Sequence, residues 1–316
     1  MTPNKRHDRI PDFLIIGAGK SGTTSLDQYL KQHPQIFIPN VKEPNFYGYE
    51  LVTLESFGDN EQEIKHFKGS VTNLEKYLHL FDSAKPGQVK GETSNTYLYH
   101  DTAPERIKHY NPAMKLIAVL RQPAERLYSR YLHLARDNRL PTENFNHCLD
   151  QTSIWWKRND LIKEGFYYKN LSRFYTHFAP SQIRVYLYED LNKQPEKMLT
   201  DIFEFLGVDT AFRPNLTVKF NKSGLIKNKL ANKVYGNNGL LQQTIKSILP
   251  DRIIRTLKSS TRIQQVSTKI KESNLIRPAF DPEIKRRLTQ EVYSDDILKL
   301  QKLLNRDLSN WLNQKV

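Results

Sequence analysis

The sequence predicts an α/β protein of three layers, α/β/α, around a central parallel sheet, with a C-terminal helical extension. Three observations predict it. Apolar runs of buried-strand length are each followed by residues at helical spacing, a glycine-rich turn separates the first such run from its helix, and two helical patterns close the chain. Asp12 to Ile16 is the first run, ending at Gly17, and after Ser21-Gly22-Thr23-Thr24 the residues Leu26, Tyr29 and Leu30 mark one helical face. Met114 to Leu120 is the second, with Pro123 placed for a first helical turn and Leu127, Tyr131 and Leu134 as the apolar face beyond it. Ile183 to Leu187 is the third, followed by Met198, Ile202, Phe205 and Leu206, with Gly207 as the stop. Buried strands that alternate with helices call for parallel pairing and cover on both faces. The closing pair reads Glu283 to Val292 and Asp295 to Leu304, finished by Trp311.

Composition narrows the function classes. With 316 residues, 38% hydrophobic and 11% aromatic, the chain has enough apolar surface for a sizeable core, which excludes a disordered chain. Cys148 is the only cysteine, so an intrachain disulfide and a multi-cysteine metal site are both excluded, and no metal is expected. No apolar run is long enough to span a bilayer, and the polar N-terminus lacks a signal-peptide pattern; a cytoplasmic location is expected. The net charge is +14, and +10 of it lies between Asn221 and Arg277, where 12 Lys or Arg face two acids. The expected division is therefore an α/β core over 1–223, a basic helical insertion over 224–280, and C-terminal helices over 281–316 that pack on the core. Within the insertion, residues 240–258 place leucines and isoleucines near helical spacing with Lys246, Arg252, Arg255 and Lys258 between them. Such a face suits peripheral contact with an anionic membrane or an acidic saccharide, and still better a helix packed on the domain with its basic side solvated. Nucleic acid is not an expected partner, because basic residues are not interleaved with aromatics in any recognised binding motif.

Chemistry concentrates at two places. Gly17-Ala18-Gly19-Lys20-Ser21-Gly22-Thr23-Thr24 lies between a strand and a helix, where glycines let backbone amides converge and the helix start adds positive potential. The loop is built for an anion such as a phosphate. A nucleoside-triphosphatase loop requires Lys where this chain has Thr23; the lysine is Lys20, inside the loop, and no strand ends in an Asp suited to Mg²⁺. The second place is Arg121, at the carboxyl end of a buried strand where α/β folds bind ligands, with Ser129 about two helical turns beyond it. A guanidinium fork and a hydroxyl suit a second phosphate.

These residues resemble those of sulfotransferases that use 3′-phosphoadenosine 5′-phosphosulfate (PAPS). Phe13 to Leu26 is similar to that family's 5′-phosphosulfate loop, and Arg121 with Ser129 to its 3′-phosphate motif, in the expected order and spacing. Gly91-Glu92-Thr93, Gly165 to Tyr168, Tyr188 to Leu191, Asn221-Lys222-Ser223 and Leu304 to Trp311 extend the likeness, which is nearest to the bacterial and Golgi carbohydrate branch. The resemblance implies a P-loop-type fold, PAPS as donor, and transfer of its sulfuryl group to a hydroxyl of a saccharide or glycolipid with release of adenosine 3′,5′-bisphosphate. It implies that Gly19, Lys20, Ser21, Gly22, Thr23 and Thr24 hold the 5′ end, that Arg121 and Ser129 hold the 3′ phosphate, and that Lys20 offsets charge at the bridging oxygen. Glu43, in Lys42-Glu43-Pro44-Asn45-Phe46-Tyr47, matches the branch's general base. The alternative for Glu43 is a surface acid before a turn.

Glu92 is a competing carboxylate, readable as a second base, an acceptor-binding group or a buried structural acid. Many relatives carry Lys where this chain has Thr93. The phenol and steroid branch uses a His base in this region, and His100 is off that pattern. Trp155 and Trp156, next to Lys157-Arg158, are candidate walls for an acceptor sugar, against the general tendency of aromatics to form core. Two rivals remain at this stage, a P-loop nucleotide kinase and a non-catalytic protein that binds anionic glycan or membrane.

Overall fold

In the computed structural model, residues 9–58, 61–137, 139–142, 144–217, 225–226, 275–276 and 278–313 are described. The chain forms two compact units. The first comprises Met1–Leu127, Asn146–Asn221 and Pro282–Val316; the second comprises Tyr128–Phe145 and Lys222–Asp281.

The first unit is built on five strands, β1 (Phe13–Gly17), β2 (Ile36–Phe37), β3 (Val89–Thr93), β4 (Lys115–Leu120) and β5 (Ile183–Leu187), in the order β2-β3-β1-β4-β5. Every adjacent pair is parallel. The register sets Leu14 beside Glu92 and Ile15 beside Ile117, so β1 is central, with its loop flanked by the ends of β3 and β4. Alternate residues point to opposite faces of a strand. Phe13, Ile15, Ile117 and Val119 pack with Leu26 and Leu30 of α1 (Thr23–Leu30) and, near the sheet edge, with Met198, Ile202 and Phe203 of a later helix. Leu14, Ile16, Leu116, Ala118 and Leu120, on the other face, are equally inaccessible, so the sheet is covered on both sides as the α/β/α reading requires.

Further helices are α2 (Leu74–His79), α3 (Ala103–Tyr110), α4 (Pro123–Arg136), α5 (Tyr167–His177), α6 (Tyr188–Lys193) and α7 (Pro195–Leu206). α7 starts with Pro195 and stops at Gly207, whose left-handed backbone (φ 77°) returns amides to the last turn. The C-terminal residues give α8 (Pro282–Arg287), a π-helical turn over Leu288–Tyr293, α9 (Ser294–Leu304) and α10 (Ser309–Leu312). Two separate helices were expected there. The wider turn keeps the helical path continuous and lets Leu288, Thr289 and Tyr293 all be buried.

In the second unit, β6 (Leu225–Ile226) pairs antiparallel with β7 (Leu275–Ile276), and the Tyr128 ring stacks on Phe280 with centroids 4.4 Å apart. The expected amphipathic face at 240–258 and the Asn221-Lys222-Ser223 stretch lie outside the described residues. No helix among the described residues is long and apolar enough to cross a membrane.

Candidate active site

β1 delivers the chain into the anion loop, and α1 leaves it. Gly22 caps α1 with φ 93°, a conformation that side-chain-bearing residues rarely adopt, and a Cβ there would fall 2.6 Å from Leu191 and 3.3 Å from the Tyr188 ring. The first turn of α1 therefore opens its amides without a side chain in the way. The Gly19 amide already donates to Glu164 Oε1 at 2.6 Å, and Glu164 Oε2 is held by Arg126 at 2.5 Å in a buried ion pair. The Gly19 amide thus points where a carboxylate oxygen can accept from it, as an anion's oxygen would. Ser21 and Thr23 are buried, whereas Lys20 and Thr24 are half-exposed at the mouth. The hydroxyls of Ser21 and Tyr167 lie near one another, yet neither closes a hydrogen bond of normal geometry. A buried serine hydroxyl short of a partner within an anion loop fits a phosphate-type oxygen.

One strand over, Arg121 leaves the end of β4. Its guanidinium lies 4.9 Å above the Tyr188 ring and bonds Glu125 at 2.8 Å. Tyr188 thus touches both places, because the same ring packs at Gly22. The two candidate anion-binding donor sets, at the ends of neighbouring strands, are separated by one aromatic ring. The sequence marks Tyr188 only by its likeness to the family; its placement between the two candidate sites needs the β5-to-α6 turn, which the linear sequence does not display. Ser129 belongs to the second unit, where it is buried.

Glu43 sits in the segment after β2, half-buried, with its own backbone left-handed (φ 53°). The residues following β3 pin this segment. The Glu43 amide donates to Thr93 O at 3.0 Å, Asn95 Nδ2 donates to Glu43 Oε1 at 2.9 Å, Ser94 Oγ accepts the Asn45 amide, and Thr96 donates to the Asn45 side chain. On the other side Lys42 Nζ donates to Thr24 Oγ1 of the loop. The carboxylate is one residue from a lysine that touches the anion loop. Of the five described non-glycine residues with left-handed backbone, Lys20, Glu43 and Asn45 fall here, which concentrates conformational strain at the candidate site. Lys42 and Asn95 were not singled out from the sequence; a lysine before an acid and an asparagine in a polar run carry no periodic signal.

Glu92 resolves differently. It is wholly buried and accepts hydrogen bonds from Tyr97 at 2.7 Å, Ser94 at 2.8 Å and Tyr77 at 3.2 Å. Burial pushes its pKa up to about 7, against the pull of those three hydroxyls. Of the three readings of Glu92, this environment fits the structural acid, since no face is open to an acceptor. Trp155 is also fully buried, so the expected Trp155–Trp156 wall does not form: only Trp156 is partly open, and its indole N–H is committed to Cys148 O at 3.0 Å. His100 packs against the Tyr49 ring, and burial first, then Arg106 and Arg173, hold it down to about 4, a neutral imidazole at physiological pH. Burial pushes the Cys148 thiol up to about 12, which makes it unreactive.

Comparison with known proteins decides the family. Residues 10–292 match the sulfotransferase domain. The chain belongs to the sulfotransferase domain family. The chain is 26% identical over 69% of its length to the mouse (Mus musculus) bifunctional heparan sulfate N-deacetylase/N-sulfotransferase 4, and 28% identical over 69% to mouse enzyme 3 of the same name. It spans about a quarter of those relatives, 24% of each. A solved sulfotransferase from Alicyclobacillus acidocaldarius shares the fold with a TM-score of 0.68 at 24% identity, covering 96% of this chain and 99% of that one. The five-stranded parallel sheet with flanking helices is the sulfotransferase α/β fold, and family membership leaves no support for the nucleotide kinase reading.

Proposed function

We propose that this sulfotransferase takes its sulfuryl group from PAPS and passes it in line to a saccharide or glycolipid hydroxyl, releasing adenosine 3′,5′-bisphosphate. The observation that carries the reading is the pair of anion-binding donor sets on either side of Tyr188, with the Glu43 segment tied to one of them through Lys42 and Thr24. PAPS supplies an activated sulfuryl group on a carrier with two separated anionic ends. The Gly19 to Thr24 loop fits the 5′ end and Arg121 the 3′ phosphate; Ser129 is assigned to the same phosphate on its motif alone. Glu43 receives the acceptor's proton, oriented for it by Asn95. Lys20 offsets the charge that grows on the leaving group.

The relatives' names support a saccharide acceptor, since they specify heparan sulfate. Those names also specify N-sulfotransfer, which favours a sugar amine as the second reading of the nucleophile. The test is calorimetry of the purified chain with adenosine 3′,5′-bisphosphate beside ATP plus Mg²⁺, followed by incubation with PAPS and panels of hydroxyl-bearing and amine-bearing saccharides. Metal-independent binding of the bisphosphate that collapses in Arg121→Ala, and sulfated product from one panel, is the expected result. Equal binding of ATP would overturn the donor assignment.

A further inference from the structure

The three basic residues that end α8 do not behave alike. Arg286 bonds Glu283 and Gln290 on its own helical path, and Arg287 bonds Glu291, so both are satisfied on the solvent side by neighbours three or four residues away. Lys285 instead reaches across to α4, where its Nζ donates to Glu125 Oε1 at 2.6 Å. The other oxygen of that carboxylate takes the Arg121 guanidinium at 2.8 Å. One carboxylate thus holds two cations from distant parts of the chain, and against the opposing effect of partial burial its pKa is drawn below the ordinary value by Lys285 and Arg121.

The pairing is anchored beneath. Gln122, next to Arg121, donates to Thr289 Oγ1 at 2.9 Å, and that hydroxyl donates to the Lys285 carbonyl at 2.8 Å. Gln122 and Thr289 are both buried, so the backbone that carries Lys285 is tied to the residue beside Arg121 by groups shielded from water. Gln122 also caps α4 by accepting the Glu125 amide at 2.7 Å, which fixes the carboxylate relative to both cations. A surface ion pair needs no such buried support.

We propose that Lys285 is a second cation of the 3′-phosphate subsite, acting beside Arg121, and that Glu125 is the internal anion with which the phosphate exchanges. This rests on the reading that Arg121 binds the 3′ phosphate. Two oxygens of one carboxylate already bridge the two cations; two oxygens of a phosphate present nearly the same spacing and more charge, so they satisfy the same donors more strongly. Arg121 gives direction through its planar fork backed by Tyr188, whereas Lys285 gives a compact point charge on a flexible stem. No covalent step is involved.

The experiment is calorimetric titration of the full chain and of Lys285→Met and Lys285→Arg with two probes, adenosine 3′,5′-bisphosphate and adenosine 5′-phosphate, with thermal melts to verify folding. Wild type should prefer the bisphosphate. Lys285→Met should weaken the bisphosphate about tenfold while leaving the monophosphate within about twofold, and Lys285→Arg should retain most of the preference. An unchanged preference in a folded Lys285→Met protein would overturn the proposal and leave Arg121 in its role. Absence of any preference in wild type would instead remove the Arg121 reading, and this proposal with it.

Discussion

Asn95 and Glu43 form the contact on which turnover should depend most finely. The amide N–H donated at 2.9 Å to Oε1 fixes the carboxylate plane, while the Thr93 carbonyl and Lys42 hold the segment on either side. Glu43→Gln preserves the shape and an oxygen for Asn95, but it cannot take a proton. It should lower turnover by about 10² to 10⁴ and leave bisphosphate affinity unchanged, read by product formation beside calorimetry. Asn95→Ala removes the orienting donor without touching either anion site. Its kcat should fall about tenfold with KM for PAPS unchanged, and a rise in KM alone would place Asn95 in donor binding instead. Lys42, whose ammonium touches Thr24, lies outside both substitutions.

At the scale of elements, the loop-to-helix turn is the most constrained piece. Gly22→Ala imposes a left-handed alanine and drives its Cβ into the end of the Leu191 side chain, so Leu191 or the start of α1 must shift. The expected outcome is a loss of about 1–3 kcal/mol in chemical denaturation together with weaker bisphosphate binding; a stability loss with affinity intact would separate the turn from the anion site. The same element was legible beforehand because glycines, a strand and a helical pattern stand in contiguous sequence. β4 and β5 were legible for a similar reason, as near-continuous apolar runs. β3 was not: Val89–Thr93 contains Lys90, Gly91 and Glu92, a polar pattern that reads as surface, and the buried Glu92 is satisfied by the hydroxyls of Ser94, Tyr97 and Tyr77 outside the strand. β2 is two residues long and carries no pattern at all. Trp155 shows the opposite failure, a residue type that suits sugar stacking but whose bulk is used to fill the core.

For the whole molecule, two buried acids and a buried histidine set how stability responds to pH. Burial raises Glu92 to about 7 from an ordinary 4.5, and Asp296 to about 6 from 3.8 even though it accepts the Tyr168 and Lys169 amides. In each case the folded chain keeps a proton that the unfolded chain has released. Stability from these groups is therefore fully present below the unfolded values, declines as pH rises through the folded values, and is flat above about 7. His100, which burial holds down to about 4 from 6.5, acts in the opposite sense as pH falls below 6.5, and Glu125 and Asp190, drawn down by Lys285, Arg121 and Arg306, do so below their ordinary 4.5 and 3.8. Urea denaturation should therefore give a chain more stable at pH 5.5 than at pH 8, with about 2 kcal/mol from Glu92 offset in part by His100, which is strained towards the neutral form and costs about 1 kcal/mol at the lower pH. Glu92→Gln should remove the Glu92 share of that difference and leave the smaller, opposed contributions of Asp296 and His100; a difference unchanged by the substitution would assign it to other groups. The consequence reaches the site, because the Ser94 hydroxyl that donates to Glu92 also accepts the Asn45 amide two residues from Glu43. Ionisation of Glu92 strengthens the demand on that hydroxyl, so the anchoring of the Glu43 segment is coupled to a titration near neutral pH, and Glu92→Gln should alter the pH profile of turnover as well as of stability.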